Sequence, residues 1–444
     1  MFTRLTRSLA LATLVVAIPA CYGSGTSGHP LPGTATAPVT SAPPAPVTSA
    51  PPAPVPGAPP VPVPGAASPA SSWLHDLDGN TVTTFALDPV TGLPGSGTTT
   101  SLGYLQATAG CVDPASKTLF VGGSFVYSAP YQEEGQLVAL DASGGVPVAG
   151  SPVVVAATLS VPRSLVADAL LGEVLLSNGQ APIWGGPPYF PPPAGLVPPI
   201  PAAITDVPGL YALGYSGTAL TPPQAASSTP GFLALDATGQ FLYAAGDVPI
   251  GSSGSMPAIS SFTVGAGGAL TPVPGSPFGL PDEPVGIALH PRGSFLYAPH
   301  TDGTVDAFPV TKGAPGFRTR FTATAMTNLV AVTVAMDPLG RFLFHGACDQ
   351  GNLLVATSTI TALSIDPTTG ALSPAGTITL PGELRSLAVN ASGNTLYVGL
   401  AAQGGGGGSE VAFLSVSAAG ALAALPGSPL ALPNGSGGIL VTSP

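Results

Sequence analysis

Four charged side chains in this sequence have the chemistry of an acid–base site: Arg163, Asp247, His300 and Arg385. An aspartate or a histidine can activate water by removing a proton. An arginine can hold the oxyanion that develops when water attacks a carbonyl carbon. We therefore predict Asp247 or His300 as the base and the two arginines as the clamp. The alternative is that all four are solvated loop charges, because exposed loops are where charged residues normally lie.

Other side chains could contact a ligand without reacting with it. The candidates for ligand binding are Glu283, Glu383, Trp184, Tyr189 and Phe190. The three aromatic residues lie in a proline-rich segment, residues 178–208, and aromatic rings on a stiff loop can form a lid or a contact for a sugar or a peptide. The alternative is that this segment packs its rings against its own domain.

Several other chemistries have no support in the sequence. The five histidines lack the spacing of metal ligands. No Gly-x-Ser-x-Gly elbow occurs, and the glycine run at residues 404–408 is not followed by the lysine of a phosphate loop. Only ten Lys and Arg residues occur in a chain of net charge −11, so no basic footprint for nucleic acid is present. We predict no cofactor, no metal and no nucleic-acid partner.

The elements that must position these side chains are indicated by a phrase that occurs five times. It reads acidic or polar residue, two residues, Gly or Ser, two residues, Leu, then Tyr or Phe. The copies span residues 113–120, 236–243, 290–297, 337–344 and 390–397. Self-similarity at a spacing of roughly 45–70 residues indicates stacked supersecondary units. Each unit divides into four strands, a to d, with the acidic turn between a and b and a Gly-centred hairpin between c and d.

Strand a recurs seven times, with starts near residues 104, 161, 230, 284, 330, 384 and 437. The last copy has no b, c and d strands after it, whereas the first unit begins at strand b, near Trp73. A four-stranded sheet made from both segments would close a ring and leave only short, protected edges. The sequence therefore predicts an all-β fold, a seven-bladed β-propeller of four-stranded blades over residues 72–444. The ring is closed by pairing of the N- and C-terminal segments.

The predicted fold gathers the candidate site residues on one face, because starts of a strands and ends of b strands lie at the same end of a propeller. Long insertions between strands b and c fall on this face as well, among them residues 178–208 and 247–257. Connections of this length are uncommon unless they are functional or disordered. We interpret this loop-rich face as a recognition surface.

The N-terminus has the pattern of an export signal over residues 1–20. Arg4 and Arg7 precede a short apolar core that cannot span a membrane as a mature helix. The sequence Ile-Pro-Ala-Cys that follows, ending at Cys21, resembles a bacterial lipobox, in which the cysteine is acylated. We predict lipidation at Cys21, and the alternative is an ordinary secretory signal.

Residues 21–71 are rich in Pro, Ala and Thr. Such a segment cannot bury enough apolar area to offset its ordering entropy, and proline extends it. We predict a disordered stalk between the lipid anchor and the propeller. A low-complexity tail without a role is the alternative.

Two stretches carry a family resemblance, residues 364–372 and 385–398. They resemble the seven-bladed lactonase-type propellers, the 6-phosphogluconolactonase-like family, and related surface propellers with a Tyr-Val-Thr-Asn repeat. The resemblance covers about residues 73–444 and implies the propeller fold. It also implies lactone hydrolysis by Arg, His and Glu residues at one mouth of the central channel. There a Pro-Arg-His phrase opens strand a, and an Asn-Glu phrase ends strand b.

The chain matches these site phrases only in part. Arg163 follows a proline but precedes Ser164 where the family has histidine, and around Arg385 only the arginine is kept. At the family's glutamate position, Asp247 is the only acid. These departures favour binding over hydrolysis.

The sequence therefore predicts an exported, lipid-anchored propeller that acts as a binding module through its loop-rich face. The partner is an unknown small molecule, glycan or protein, and the lipid anchor contacts a membrane. The predicted location is the bacterial outer membrane or cell surface, with a periplasmic or secreted protein as the alternative. The alternative function is a lactonase-like hydrolase with a degenerate site, so enzymatic activity is left open.

Overall fold

The structure is a computed structural model of the chain. It describes residues 72–89, 91–103, 105–113, 115, 117–126, 133–142, 148–149, 153–156, 160–180, 209–250, 254–323, 329–349, 356–401, 409–432 and 439–443. All of them belong to one compact unit, Pro64–Pro444. The predicted leader, Cys21 and the stalk lie outside the described residues, as do Trp184, Tyr189 and Phe190.

The described chain begins with three strands of the blade that closes the ring, called blade 7. They are β1 (Trp73–Asp78), β2 (Thr81–Leu87) and β3 (Pro94–Ser101). Blade 1 contains β4 (Gln106–Asp113), β5 (Thr118–Val126), β6 (Glu133–Asp141), β7 (Val148–Ala149) and β8 (Val153–Ala156). Blade 2 contains β9 (Ser160–Asp168), β10 (Glu173–Gln180), β11 (Gly209–Ser216), β12 (Ala219–Leu220) and β13 (Gln224–Ser227).

Blades 3 and 4 follow the same antiparallel plan. Blade 3 contains β14 (Phe232–Leu235), β15 (Phe241–Ile250), β16 (Gly254–Val264), β17 (Leu270–Pro272) and β18 (Phe278–Gly279). A short 3-10 turn, Ala266–Gly268, precedes β17. Blade 4 contains β19 (Ala288–Leu289), β20 (Phe295–Pro299), β21 (Thr304–Thr311), β22 (Ala314–Pro315) and β23 (Thr319–Thr322).

The last blades complete the wheel. Blade 5 contains β24 (Leu329–Met336), β25 (Phe342–Asp349), β26 (Thr357–Ile365) and β27 (Leu372–Pro381). Blade 6 contains β28 (Glu383–Val389), β29 (Thr395–Ala401), β30 (Ser409–Val416), β31 (Leu422–Ala424) and β32 (Leu430–Leu432). The final strand is β33 (Ile439–Ser443), which is the innermost strand of blade 7.

The closure of the ring has the predicted form. Strand β1 pairs with β33 in antiparallel register, with Leu74 opposite Thr442 and Leu77 opposite Ile439. The inner strands contact one another in order around the ring, and β33 contacts both β28 and β4. The prediction of a seven-bladed propeller closed by both chain segments is confirmed.

The core is divided among the junctions between blades. The buried apolar side chains of the described residues form seven clusters, one at each junction. At the closing junction Leu74 and Phe85 of blade 7 pack against Tyr397 and Phe413 of blade 6. Because each blade buries a face against both neighbours, no blade has a complete core of its own.

The repeated phrase serves as a lock between neighbouring blades. The side chain of Asp337 lies directly under Gly393 of the next blade, where a methyl group would overlap it. Arg341 pairs with Asp337 and donates to the carbonyl oxygen of Gly393 at 2.7 Å. In the same way the Tyr397 hydroxyl donates to the carbonyl oxygen of Gly92, 2.7 Å away in the hairpin of blade 7. The acid, the glycine and the tyrosine are therefore fixed by contacts between units.

The outer strand differs from the simple four-strand pattern predicted. In five blades it is split into two short strands, as in β17–β18 and β31–β32, and it is continuous only in β3 and β27. At two of the breaks a serine side chain replaces the backbone carbonyl as hydrogen-bond acceptor. The Ser261 amide donates to Ser276 Oγ and the Phe413 amide donates to Ser428 Oγ, both at 2.9 Å. The Gly-Ser-Pro sequences mark these breaks.

The wheel has two faces that matter for function. The mouth face holds the starts of the inner strands and the connections between strands b and c. The turn face holds the turns between strands a and b and the hairpins between strands c and d. Strand β1 is a b strand and runs from the turn face to the mouth face, so the chain enters the propeller at Trp73 on the turn face.

Strand β1 carries buried ionisable groups where the other b strands are mostly apolar. Asp76 is 1% exposed, and its Oδ1 atom has no hydrogen-bond partner. Burial, with a smaller contribution from the charge of Asp78, raises the pKa of Asp76 to about 7. On the other side of the strand, burial lowers the pKa of His75 to about 4, and its Nδ1 atom lies 2.9 Å from Oγ1 of Thr84.

Candidate functional site

The two predicted arginines occupy equivalent backbone positions in different blades. Four inner strands contain a β-bulge near their start, and the extra residues are Thr108, Arg163, Val330 and Arg385. A bulge leaves one residue unpaired and redirects its side chain, and bulges often lie beside binding sites. Arg163 in β9 and Arg385 in β28 therefore leave the sheet ladder at the same level of the mouth face, and both side chains are exposed.

Each arginine has a glutamate nearby. Partial burial lowers the pKa of Arg163, and the carboxylate of Glu283 acts in the opposite direction, which places the two groups within electrostatic reach. Arg385 donates to the carboxylate of Glu383 at 3.1 Å. The Arg385 side chain is 41% exposed, so this ion pair is accessible to a ligand. The structure thus couples both predicted glutamates to the predicted clamp.

His300 lies at the end of β20 but is buried, with 1% of its surface exposed. Its Nδ1 atom is 3.2 Å from the carbonyl oxygen of Glu283, and its Nε2 atom is 3.1 Å from Oδ2 of Asp306. Both partners are oxygen atoms within hydrogen-bond distance, so each ring nitrogen faces a protein atom rather than solvent. Buried contacts therefore occupy both ring nitrogens. The base role of His300 stays a prediction, and these contacts give the residue a structural role.

Asp306 is the centre of a charge cluster between strands of blade 4. Arg320 binds it through Nε at 2.7 Å and Nη2 at 2.9 Å, and Arg318 approaches both carboxylate oxygens at 3.2 Å. Burial alone would raise the pKa of Asp306, but Arg320, His300 and Arg318 outweigh it and lower the pKa. Arg320 also reaches Asp282 at 2.7 Å. The cluster therefore ties the connection between blades 3 and 4 to the blade 4 sheet.

Asp247 is exposed on the mouth face of blade 3. It lies within strand β15, paired with Pro257, and accepts a hydrogen bond from Ser255 at 3.3 Å. The interpretation of residues 247–257 as a loop is wrong in this respect, because β15 and β16 continue as a hairpin to Ile250 and Gly254. Asp247 is thus held on a projecting ribbon and keeps an exposed carboxylate.

Sequence reasoning missed two features of this face. Phe232 opens β14 and is 37% exposed, an apolar group near the level of the arginines. The Asp306 cluster was also missed, although Arg318, just before β23, and Arg320, within it, are two residues apart and could have indicated a shared partner. Trp184, Tyr189 and Phe190 lie outside the described residues, so their binding role stays a prediction.

Beyond the predicted site, the described residues contain a cavity but neither a metal site nor a membrane helix. Within them, no group of three or more His, Cys, Asp or Glu side chains could hold a metal ion. No helix in the described part of the chain has the length and apolar character to cross a membrane. A cavity of about 460 Å³ lies on the turn face, lined by Asp168, Asp236 and Cys111 among others, away from the predicted site.

The comparisons with known proteins identify the fold. No family model and no curated protein sequence matches the chain. A structure described as a putative 6-phosphogluconolactonase from Bacteroides fragilis has 14% identity and a TM-score of 0.60, covering 86% of this chain and 100% of its own. The periplasmic gluconolactonase of Pseudomonas aeruginosa has 15% identity and a TM-score of 0.57, covering 84% and 99%.

A protein of unknown function from Desulfotomaculum acetoxidans is similar at 11% identity, with a TM-score of 0.55 over 84% of this chain and 98% of its own. At such identities a structural match establishes the architecture, and function depends on the site. The chain is therefore a seven-bladed β-propeller that shares its fold with these structures.

Proposed function

We propose that this chain is an exported, lipid-anchored propeller that binds an anionic or hydroxyl-rich ligand at its mouth face without converting it. One observation carries the proposal. Arg163 and Arg385 project from equivalent bulges and stay exposed, whereas both nitrogens of His300 are occupied in a buried cluster. The binding groups are thus presented to solvent, and one of the two candidate bases is withdrawn.

The chemistry of the exposed groups defines the ligand class. A guanidinium presents a planar fork of donors that matches a carboxylate or a pair of hydroxyl groups. Glu383, paired with Arg385, and Glu283, near Arg163, can accept hydrogen bonds from ligand hydroxyls. The mouth therefore suits a sugar acid or another polyhydroxylated anion.

Lactone hydrolysis is the second candidate, and the exposed carboxylate of Asp247 favours it. Asp247 would take a proton from water, the water oxygen would attack the lactone carbonyl, and an arginine would hold the oxyanion. The ring C–O bond would then break, and the leaving alkoxide would take the proton back from Asp247. The names of the Bacteroides and Pseudomonas neighbours agree with such a reaction. The reaction needs Asp247 and an arginine to meet on one substrate.

Binding and turnover can be separated on one set of variants. Turnover is measured as acid release when the protein is mixed with sugar or aliphatic lactones. Binding is measured as thermal stabilisation by the corresponding sugar acids. We expect stabilisation by at least one sugar acid, lost in Arg163→Ala and Arg385→Ala, with no acid release. Lys117→Asn removes a cation from the turn face, and Asn tolerates the left-handed backbone there (φ 55°), so it serves as the control.

Two outcomes decide between the candidates. Acid release that disappears in Asp247→Asn and Arg163→Ala would replace the binding proposal by the hydrolase. Absence of both stabilisation and release would refute the assignment of this site.

The anchor has its own test. Cells producing the chain are labelled with palmitate, and we expect label on the wild type and none on Cys21→Ser. Label that survives this substitution would refute the lipobox.

A further inference from the structure

Phe232 presents an aromatic ring to solvent at the start of the inner strand of blade 3. The residue is 37% exposed, although the next two residues of β14, Leu233 and Ala234, are buried. A single exposed apolar side chain needs no explanation by itself. Its surroundings decide whether it has a role, and three features of the mouth face converge on it.

The first feature is the backbone on both sides of Phe232, which is fixed by serine side chains of blade 2. The Gly231 amide donates to Ser177 Oγ at 2.8 Å, and the Leu233 amide donates to Ser164 Oγ at 2.9 Å. The two serines lie opposite each other on β9 and β10. Phe232 is therefore held in a defined position relative to the neighbouring blade, as a preorganised binding surface requires.

The second feature is that the same serine places Arg163 beside the ring. Ser164 directly follows Arg163, and Phe232 directly precedes Leu233. Arg163 and Phe232 are thus each adjacent in the chain to one partner of a single hydrogen bond of 2.9 Å. Ser164 stands where the 6-phosphogluconolactonase-like family has histidine, and in this chain the residue at that position joins β14 to β9.

The third feature is a pair of carboxylates near the ring. Phe232 pairs with Ala245, and Asp247 lies two residues further along β15, so its side chain is on the same face of the sheet as the ring. Diagonal neighbours of this kind are about 7–8 Å apart. Partial burial lowers the pKa of Arg163, and the carboxylate of Glu283, in the connection between blades 3 and 4, counteracts this. Blade 3 lies between Arg163 and Glu283, so its first inner-strand residue has both charges nearby.

Resting on the proposed function, we propose that Phe232 makes the mouth selective for a sugar acid in its ring form, a pyranose uronic acid, over an open-chain aldonic acid. The C–H groups on one side of a pyranose form a flat apolar surface that stacks on the phenylalanine ring. Arg163 binds the carboxylate, and Asp247 and Glu283 accept hydrogen bonds from the hydroxyl groups. An open-chain sugar acid has the same polar groups but no flat face, and it loses more conformational freedom on binding.

Calorimetric titration with two matched ligands tests this selectivity. The methyl glycoside of galacturonic acid is locked as a pyranose, and galactonic acid is an open chain with the same charge. We expect the wild type to bind the glycoside about tenfold more tightly, because covering about 50 Å² of apolar surface corresponds to roughly that factor. Phe232→Ala should abolish the preference and leave galactonate binding unchanged. Phe232→Tyr keeps the ring and should keep the preference.

Leu170→Ala is the matched control, because Leu170 is 74% exposed in the turn that follows β9, at the opposite end of this strand from Arg163. It should leave both affinities unchanged. Equal affinities of the wild type for the two ligands, or a preference that survives Phe232→Ala, would overturn the stacking inference.

The proposed function fails separately from this inference. If galactonate binds and Arg163→Ala abolishes that binding, the binding proposal stands whatever the result at Phe232. If no sugar acid binds to the wild type, the binding site and the selectivity are both refuted.

Discussion

Replacing Asp76 by asparagine should stabilise the propeller, and the gain should depend on pH. Asp76 is 1% exposed at the junction of blades 6 and 7, and its Oδ1 atom has no hydrogen-bond partner. Burial, then the charge of Asp78, raises its pKa from 3.8 to about 7. Asparagine has nearly the same shape and no charge, so Asp76→Asn removes the unfavourable ionisation and keeps the packing.

The magnitude follows from this shift. A carboxyl group that titrates at 3.8 in the unfolded chain and at about 7 in the folded chain binds its proton more tightly when folded. Its penalty on stability is absent below pH 3.8, grows as the pH rises, and is complete above pH 7. The full penalty is about 4 kcal/mol. A loss of this size is a large part of the stability of most domains.

The wild-type pH profile alone does not isolate Asp76, because two buried histidines act in the opposite direction. Burial lowers the pKa of His75 and of His345 from 6.5 to about 4. The folded state therefore excludes protons that the unfolded state binds, and stability falls as the pH drops from 6.5 towards 4. The difference between Asp76→Asn and wild type cancels this contribution.

The assay is urea unfolding of both proteins, followed by circular dichroism, at several values from about pH 4 to about pH 8. We expect the variant to gain about 4 kcal/mol more at pH 8 than at pH 4. Asp366→Asn is the control of opposite sign, because the amides of Thr369 and Thr368 lower the pKa of Asp366, so its variant should lose stability at neutral pH. A difference for Asp76→Asn that is the same at every pH would refute the reasoning.

Two further predictions concern the contacts between blades, and both are measured by urea unfolding. Gly393→Ala should lower the free energy of unfolding by more than about 2 kcal/mol, because φ is +67° and the new methyl group would meet the Asp337 carboxylate. The control is Gly267→Ala, with φ of +74° and open space around it, which should lose only about 1 kcal/mol. Equal losses in the two variants would contradict the interblade contact at Gly393. Tyr397→Phe should lose about 1 kcal/mol, because it leaves the carbonyl oxygen of Gly92 without its buried donor; an unchanged urea midpoint would show that this hydrogen bond contributes nothing.

The fold was predictable because the repeated residues are those that join one blade to the next. Equivalents of Asp337, Gly393 and Tyr397 recur in the sequence because these residues form contacts between neighbouring blades. The closure of the ring was predictable for the same reason. The last segment supplies an inner strand (a) with no following strands, and the first segment supplies strands b to d with no inner strand, so the two segments complete one blade.

The outer strands and the mouth were less predictable. The split of the outer strand depends on serine side chains such as Ser276 accepting a backbone hydrogen bond, which no periodicity records. The hairpin extension at residues 247–257 contains proline and glycine, residues that usually indicate a loop.

The site was predictable in residue type but not in environment. Arg163 and Arg385 were found through the family phrase, but a β-bulge is defined by how two strands pair, so their equivalence became visible only in the register. The burial of His300 depends on Asp306 and on Arg320 in another strand, and a sequence does not state which side chains of neighbouring strands meet.

The pairing of β1 with β33 has a consequence for the order in which the molecule can form. Strand β33, the inner strand of blade 7, follows all the other described strands in the chain. All junctions between blades can therefore assemble before it is synthesised, except the two that blade 7 forms with its neighbours. Until β33 arrives, the backbone groups of β1 are an open edge that another chain could join. A polypeptide that stops short of Ile439 would keep this edge unpaired, and a second such chain could pair with it.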